Sequence, residues 1–461
     1  MINRDLQLKL INKTLSNGGE YADIYLEYRK QTFIVVDDKK IENVVTGTVA
    51  GAGIRLIYNG KTIYAFSNDL SGEALTEAAE KISKAAAGKS TDIIMNLEIR
   101  RPKVDFRIKL FPPDIPLERK ISLVRRVDNA ARDHDRRIKQ VIAKYVDTIQ
   151  KIEIAASDGF ISEDERVYSS AIIQATASQE DIIQTGYEAI GGNTGFELFL
   201  ENDIEELSIA AAERAIMMLT AGRAPGGRMP VVIASGAGGT MIHEAIGHGL
   251  EADLAQQGLS VFSGKLGCRV ASELITVIDD ATLEHRRGSF RFDDEGVPSQ
   301  RTVLVENGIL KKYMYDRLTS MKDGEEPTGN GRRESYRHRP IPRMSNTFIA
   351  RGETPPEEIL RSLEKGLFIE KIGGGQVNTI SGDFVFEVQE GYLIENGKKG
   401  EPVRGATLTG NGNQILESID MVGNDLGFAI GTCGKDGQGV PISDAMPTVR
   451  IPEIVVGGAC D

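Results

Sequence analysis

The spacing of apolar residues changes period several times along this chain, and the changes divide it into blocks. Up to about Ser16 the leucines and isoleucines recur at helical spacing; Asn17-Gly18-Gly19 then interrupts, and residues 21–29 alternate like a strand. Strand-like runs follow over 32–36 and 51–57. Tyr58-Asn59-Gly60 predicts a hairpin turn into a strand over 61–66, because Asn-Gly tolerates the positive φ angles such a turn needs. From Ser71 an alanine-rich run predicts a helix ending at Gly88, with the serine as its cap. The stretch 89–116 holds Pro102, Pro112, Pro113 and Pro116 and reads as a linker.

Beyond the linker, the pattern predicts a charged helix over 117–137 and long alternating strands over 138–154 and 167–178 around the Ser157-Asp158-Gly159 turn. A helix over 204–220 follows. Ala224-Pro-Gly-Gly-Arg-Met-Pro230 marks a boundary. After it come a buried-looking strand, Val231-Val-Ile-Ala234, a glycine-rich turn, Ser235-Gly-Ala-Gly-Gly239, and one more helix. The remainder is dominated by glycine and hairpin signals, including Val305-Glu-Asn-Gly308 and Ile394-Glu-Asn-Gly397, and Gly373-Gly-Gly-Gln376 predicts a tight turn. The expected fold is α+β. It comprises an N-terminal α+β domain over 1–88, a linker over 89–116, a middle α+β domain over 117–223, and a large strand-rich C-terminal domain over 224–461 that carries the last helix.

Composition narrows the function classes. A chain of 461 residues can bury a core without disulfides. Its net charge of −12 weighs against nucleic acid and anionic membrane as partners, since phosphate binding relies on clustered positive charge. The N-terminal residues lack the apolar core of a signal peptide, and no stretch is long and apolar enough to span a bilayer. Three cysteines, Cys268, Cys433 and Cys460, form no cluster, so no disulfide framework is expected. The expected compartment is a reducing cytoplasm, where a thiol is free to become a metal ligand.

The last helix carries the candidate chemistry. Two of the five histidines lie in His243-Glu244-Ala-Ile-Gly247-His248-Gly249. Imidazoles beside a carboxylate are what a hydrolytic zinc site uses, as ligands and as a base. The spacing His-Glu-x-x-x-His is one residue longer than His-Glu-x-x-His. On a regular helix, residues five apart are displaced by about 140°, so both rings reach one ion only if the helix unwinds, widens to a π-turn or ends between them. Gly247 and Gly249 make such distortion cheap.

A third ligand is not fixed by this pattern. Glu251, Asp253 and Glu273 are near in sequence, and Cys268, Cys433 and Cys460 are thiol candidates. Cys433 has the best setting, between glycines and two residues from Lys435, whose charge favours thiolate. The glycines of Gly236-Ala-Gly238-Gly239 do not make a dinucleotide loop, because Met241 replaces the final glycine; they let the helix start pack closely. The segment 328–344 gathers Arg332, Tyr336 and His338, which suit either an oxyanion contact or a structural loop pairing with the excess acids.

Taken together, these residues resemble the TldD branch of the TldD/PmbA (TldE) metallopeptidase family. The matching pieces are His243-Glu-Ala-Ile-Gly-His-Gly-Leu-Glu251, Val261-Phe-Ser-Gly264, Asp293-Asp-Glu-Gly296, Pro327-Thr-Gly-Asn-Gly-Arg-Arg-Glu-Ser-Tyr336, Gly373-Gly-Gly-Gln-Val377, Met421-Val-Gly-Asn-Asp425 and Cys433-Gly-Lys-Asp-Gly-Gln438. They cover the C-terminal half densely and the N-terminal half only in general layout. The resemblance implies zinc held by His243, His248 and Cys433, with Glu244 as the catalytic base. It also implies a cytoplasmic peptidase for small or unfolded peptides, working as a heterodimer with a TldE/PmbA-like paralogue or as a homodimer. The oxyanion donor would come from Tyr336, His338 or Arg332. The rival expectation is a non-catalytic peptide-binding or regulatory subunit with a structural zinc.

Overall fold

The computed structural model describes residues 2–89 and 94–458. Helix α1 (Arg4–Thr14) starts at Asn3, whose side chain accepts the Leu6 N–H. It is followed by β1 (Tyr21–Asp37), β2 (Lys40–Tyr58) and β3 (Lys61–Ser67), the last two joined by Asn59 and Gly60 with φ of 51° and 65°. Helix α2 (Gly72–Lys84) is capped by Ser71. After the short β4 (Glu98–Ile99) come α3 (Leu117–His134), β5 (Ile138–Ala156), β6 (Phe160–Gln179), β7 (Ile182–Asn193), α4 (Leu198–Glu201) and α5 (Ile204–Thr220).

These strands form one seven-stranded sheet, ordered β3-β2-β1-β5-β6, with β4 and β7 both against β6. The pairing of β1 with β5 runs from Asp23↔Ala156 to Asp37↔Ile142, so the blocks read as 1–88 and 117–223 share a sheet. With 17 to 20 residues each, β1, β5 and β6 reach on the order of 60 Å. Two helix layers therefore fit along them. At one end α1 and α2 cover Ile24, Leu26, Ile54, Leu56 and Ala155; at the other α3 and α5 cover Ile34, Val36, Val141 and Ile173. The first half of β2 was not legible as a strand because residues 40–49 are all exposed and so follow no buried face. Strand β7 was also missed, since glycines interrupt its pattern. At Gly186 the reason is close approach: a Cβ there would collide with the Ala211 carbonyl of α5.

The C-terminal region is strand-rich, as expected. Gly227–Ile233 lies between Lys365–Val377, in parallel, and Val449–Gly457, antiparallel. Val449–Gly457 continues to Thr407–Asn411 and then to Asp383–Glu395, which returns to Lys365–Val377. Five strands thus close into a barrel. A second sheet of six strands ends in Gln438–Met446 and Gly427–Lys435. The His-Glu helix buries Met241, Ile242, Ile246 and Leu250 in the core these sheets share. Gly373 to Gly375 form no turn: they lie inside the strand Lys365–Val377, where its pairing shifts register, and a Cβ at Gly375 would strike the Phe386 ring.

Buried ions fasten the long sheet to the C-terminal region. Arg55 of β2 bonds Asp23 of β1 and Glu295, and all three side chains are fully buried. Arg166 of β6 pairs with Asp164 at 3.1 Å and with Asp294 at 2.8 Å. Among the described residues no helix is long and apolar enough to cross a membrane.

Candidate metal centre

The helix that carries the two histidines changes its winding between them. Thr240–Ile242 is α-helical, His243–Gly247 forms a π-turn, and His248–Leu250 tightens to a 3₁₀ turn. The His248 N–H donates to the His243 carbonyl, the i→i+5 bond of a widened turn, which sets the second imidazole over the first. The ring centroids are 4.9 Å apart and the planes nearly perpendicular, at 89°. The role expected of the glycines is corrected. Gly247 has ordinary right-handed angles, φ −54° and ψ −58°, so conformational freedom is not what it supplies. A Cβ at Gly247 would collide with the Met344 sulfur, and one at Gly249 would press on the Phe262 ring. Both are glycine so that the distorted helix can sit close to its neighbours.

Cys433 joins from the strand Gly427–Lys435, opposite Val440 of the adjoining strand. The ligand atoms of His243, His248 and Cys433 all lie within 4.8 Å of one another, with Cys433 Sγ 3.6 Å from His248 Nε2. Arg343 donates to the Cys433 carbonyl and holds that strand in place. Each imidazole has a carboxylate behind it. His248 Nδ1 is 3.0 Å from Glu251 Oε2, and His243 Nδ1 is 3.7 Å from Asp444 Oδ2. Glu251 is braced in turn by Lys435 Nζ at 3.0 Å, and Lys435 pairs with Asp253 at 2.6 Å. Glu251 thus stands as an outer carboxylate that orients His248 and raises its basicity, whereas Asp444 acts on His243 through charge alone, with no hydrogen bond to its Nδ1. Asp444 also accepts the Gly239 N–H at 3.1 Å, and a Cβ at Gly239 would collide with the Ala445 backbone, so the glycine-rich turn serves close packing.

The electrostatics follow from burial and proximity. Burial pushes the Cys433 thiol up, but hydrogen bonds and charge from His243 and His248 outweigh it and bring the group down to about 5. Burial opposes charge on the imidazoles as well. Cys433 nevertheless raises His243, while Glu251 and Cys433 raise His248 well above the usual histidine range. Against its own burial, Glu251 is held at about 2 by Lys435 and His248. The two imidazoles therefore favour the thiolate, and a divalent ion would do the same more strongly. Two imidazole nitrogens and one thiolate suit zinc, a borderline-soft ion bound by nitrogen and sulfur. Glu244 is half-buried on the π-turn and accepts no hydrogen bond from a described residue; burial raises its carboxyl, with the two histidines opposing.

The other expected residues fall elsewhere. Glu251 and Asp253 stand behind the imidazole layer with Lys435, whose charge is therefore engaged by carboxylates while the histidines stabilise the thiolate. Glu273 and Cys268 are exposed, and Cys460 lies outside the described residues. Arg332 donates to the Met344 and Pro441 carbonyls, at 2.6 and 2.7 Å. Tyr336 is packed with Tyr25, Ile152 and Ile154 of the long sheet, and His338 Nδ1 meets Ser335 Oγ at 3.1 Å. Asp444 was missed, because one acid in an alternating strand gives no signal of what it faces. A cavity of about 810 Å³ borders the Lys435–Asp253 pair and is not walled by the three donors.

Comparison with known proteins extends these observations over the whole chain. Residues 22–86 match the PmbA/TldA metallopeptidase domain 1, residues 111–219 the central domain and residues 226–458 the C-terminal domain. A metalloprotease TldD homologue of Haemophilus influenzae is 38% identical over 95% of this chain and 93% of its own length. A metalloprotease of Methanocaldococcus jannaschii is 38% identical over 96% of this chain and 98% of its own length. The crystal structure of TldE from Thermococcus kodakarensis shares the fold, with a TM-score of 0.76 at 19% identity, covering 98% of this chain and all of that one.

Proposed function

The chain belongs to the PmbA/TldD metallopeptidase family, and on that premise we propose that it is a zinc-dependent peptidase for small or unfolded peptides. His243, His248 and Cys433 hold the ion, and Glu244 is the general base. The observation that carries this reading is the π-turn, which brings the two imidazoles edge to face beside the Cys433 thiol and leaves Glu244 on the same turn without a hydrogen-bond partner among the described residues. Zinc, when bound, supplies a Lewis acid that polarises a carbonyl and acidifies water to a pKa of about 7.

The chain's own groups do the rest. Glu244 takes a proton from the attacking water and delivers it to the leaving amine; its raised pKa brings it nearer the working pH, where a base of this kind is most effective. Lys435 fixes Glu251, and Glu251 fixes the tautomer and tilt of His248. A thiolate in the ligand set lowers the positive charge of the site, so positioning of the peptide carries more of the rate. The protein acts in the cytoplasm as a dimer, with a TldE/PmbA-like paralogue or with itself, and takes extended peptides through backbone pairing.

Glu244→Ala is the direct test. The variant keeps its zinc by metal analysis and loses about 10²- to 10⁴-fold in peptide cleavage, the usual worth of a general base. Cleavage at the wild-type rate with zinc bound would overturn the mechanism.

A further inference from the structure

Behind the strand that carries Cys433, on the side away from its thiol, a cavity of about 150 Å³ separates the long sheet from the C-terminal region. Thr432, which alternates with Cys433 along the strand, lines it and is exposed, so the cavity opens to solvent there. Its walls carry five arginines: Arg29, Arg166, Arg287, Arg332 and Arg333. Three have carboxylates nearby. Arg166 pairs with Asp164 and Asp294, Arg333 stands 3.6 Å from Asp23, and Arg29 stands 3.8 Å from Glu27.

The other two form no ion pair among the described residues, although Asp294 and Glu334 also line the cavity and the Asp294 charge reaches Arg332. Arg287 Nε donates to the Gly431 carbonyl at 3.3 Å, and Arg332 donates only to the Met344 and Pro441 carbonyls. Arg332 is 2% exposed, and its Nε makes no hydrogen bond to a described residue. The Tyr168 hydroxyl, on the same wall, is equally buried and equally without a partner. Burial pulls both guanidinium groups below the usual arginine range. Burying Arg332 without an ion pair is costly, and the half-buried Arg287 beside the same cavity adds a second cation that no carboxylate contacts.

Five arginines against the two acids of the lining leave an excess of positive charge, which an anion with several acceptor oxygens would offset. That anion must also be small, since a cavity of this volume holds about as much as a benzene ring. A peptide carboxylate has one charge; a phosphate has two and matches guanidinium geometry. We propose that this cavity binds a small phosphate-class dianion, as free phosphate or as the phosphoryl end of a metabolite, through Arg287, Arg332 and the Tyr168 hydroxyl. None of the three is a zinc ligand, so the site stands or falls separately from the peptidase reading.

Calorimetric titration of the full chain with inorganic phosphate, against chloride at matched ionic strength, tests this. One phosphate binds per chain and raises the melting temperature; Arg287→Gln weakens binding at least tenfold. Tyr168→Phe melts like wild type in chloride, because the hydroxyl bonds nothing there, yet binds phosphate several-fold more weakly. A parallel titration with glycerol phosphate separates the two sources, tighter binding than phosphate supporting a phosphoryl metabolite and weaker binding free phosphate. Absence of phosphate binding to wild type, or equal binding by wild type and Tyr168→Phe, would overturn the proposal.

Discussion

Two of the buried groups of charges in this molecule are built on opposite plans. In the cluster between the long sheet and the C-terminal region, Arg55 meets Asp23 and Glu295, and Arg166 meets Asp164 and Asp294; each cation faces carboxylates of the same chain. At the metal centre the atoms that converge are a thiolate and two imidazole nitrogens, while the carboxylates Glu251 and Asp444 stand behind the rings. Burial and charge are common to both. What separates a fastening from a functional site is whether the chain itself supplies the counter-charge at the point of convergence.

The largest expected effect is at the centre. Cys433→Ala removes the one donor of the proposed zinc site that comes from outside the helix, and bound zinc is expected to fall from one per chain to none after dialysis, by metal analysis. The melting temperature in the presence of a chelator stays near that of chelated wild type. Zinc retained at one per chain would show that the thiolate is not a ligand. On the other side of the comparison, Arg55→Met leaves Asp23 and Glu295 buried without their cation and costs about 3–5 kcal/mol in urea unfolding. The folded fraction keeps its zinc. A cost below about 1 kcal/mol would mean that the cluster fastens nothing.

The same contrast explains what the sequence could tell. The π-turn was legible as one of three possible distortions, because His243 and His248 are too far apart for a regular face and too close in sequence to be unrelated. Helix α2 was legible from its serine cap and composition, α5 from its place in the pattern, and the hairpins from Asn-Gly. The first half of strand β2 was not, since its residues 40–49 are exposed on both faces and leave no alternation to read. Of the site, the helix residues came from spacing, but Cys433 was only one of several candidates until the resemblance chose it. Its contact with the helix depends on the strand Gly427–Lys435, which no local pattern positions. Asp444 and the partners of Lys435 depend on that same tertiary placement.

A smaller effect is expected one layer out from the ion. Glu251→Gln keeps an acceptor for His248 Nδ1 but loses the charge that Lys435 and His248 share. Zinc affinity, measured by competition with a chelator, should fall about 10- to 100-fold, the usual cost of an outer-shell change. An unchanged affinity would mean that Glu251 serves the fold alone, as the carboxylates of the Arg55 cluster do.

The smallest effect tests whether that cluster is balanced by ions alone. Asp316 caps the helix Arg317–Asp323, its Oδ1 accepting the Thr319 N–H at 2.7 Å and the Thr319 hydroxyl at 2.6 Å. Burial, reinforced by the Glu295 carboxylate, pushes it from the ordinary 3.8 up to about 7. A raised value in the folded state means that folding retains a proton the unfolded chain has released. The stability gained is therefore full below about pH 4 and is lost as the pH rises through about 7. Between pH 6 and pH 8 the loss is about 1 kcal/mol, read from urea midpoints. Asp316→Asn keeps the cap, since asparagine is as good there, but has nothing to titrate, so its stability should be flatter over the same range. If variant and wild type lose stability in parallel, Asp316 is ionised throughout and the cluster holds itself together with charges alone; if they diverge, one of its acids is stored as a proton donor, and even the self-sufficient cluster is complete only below neutral pH.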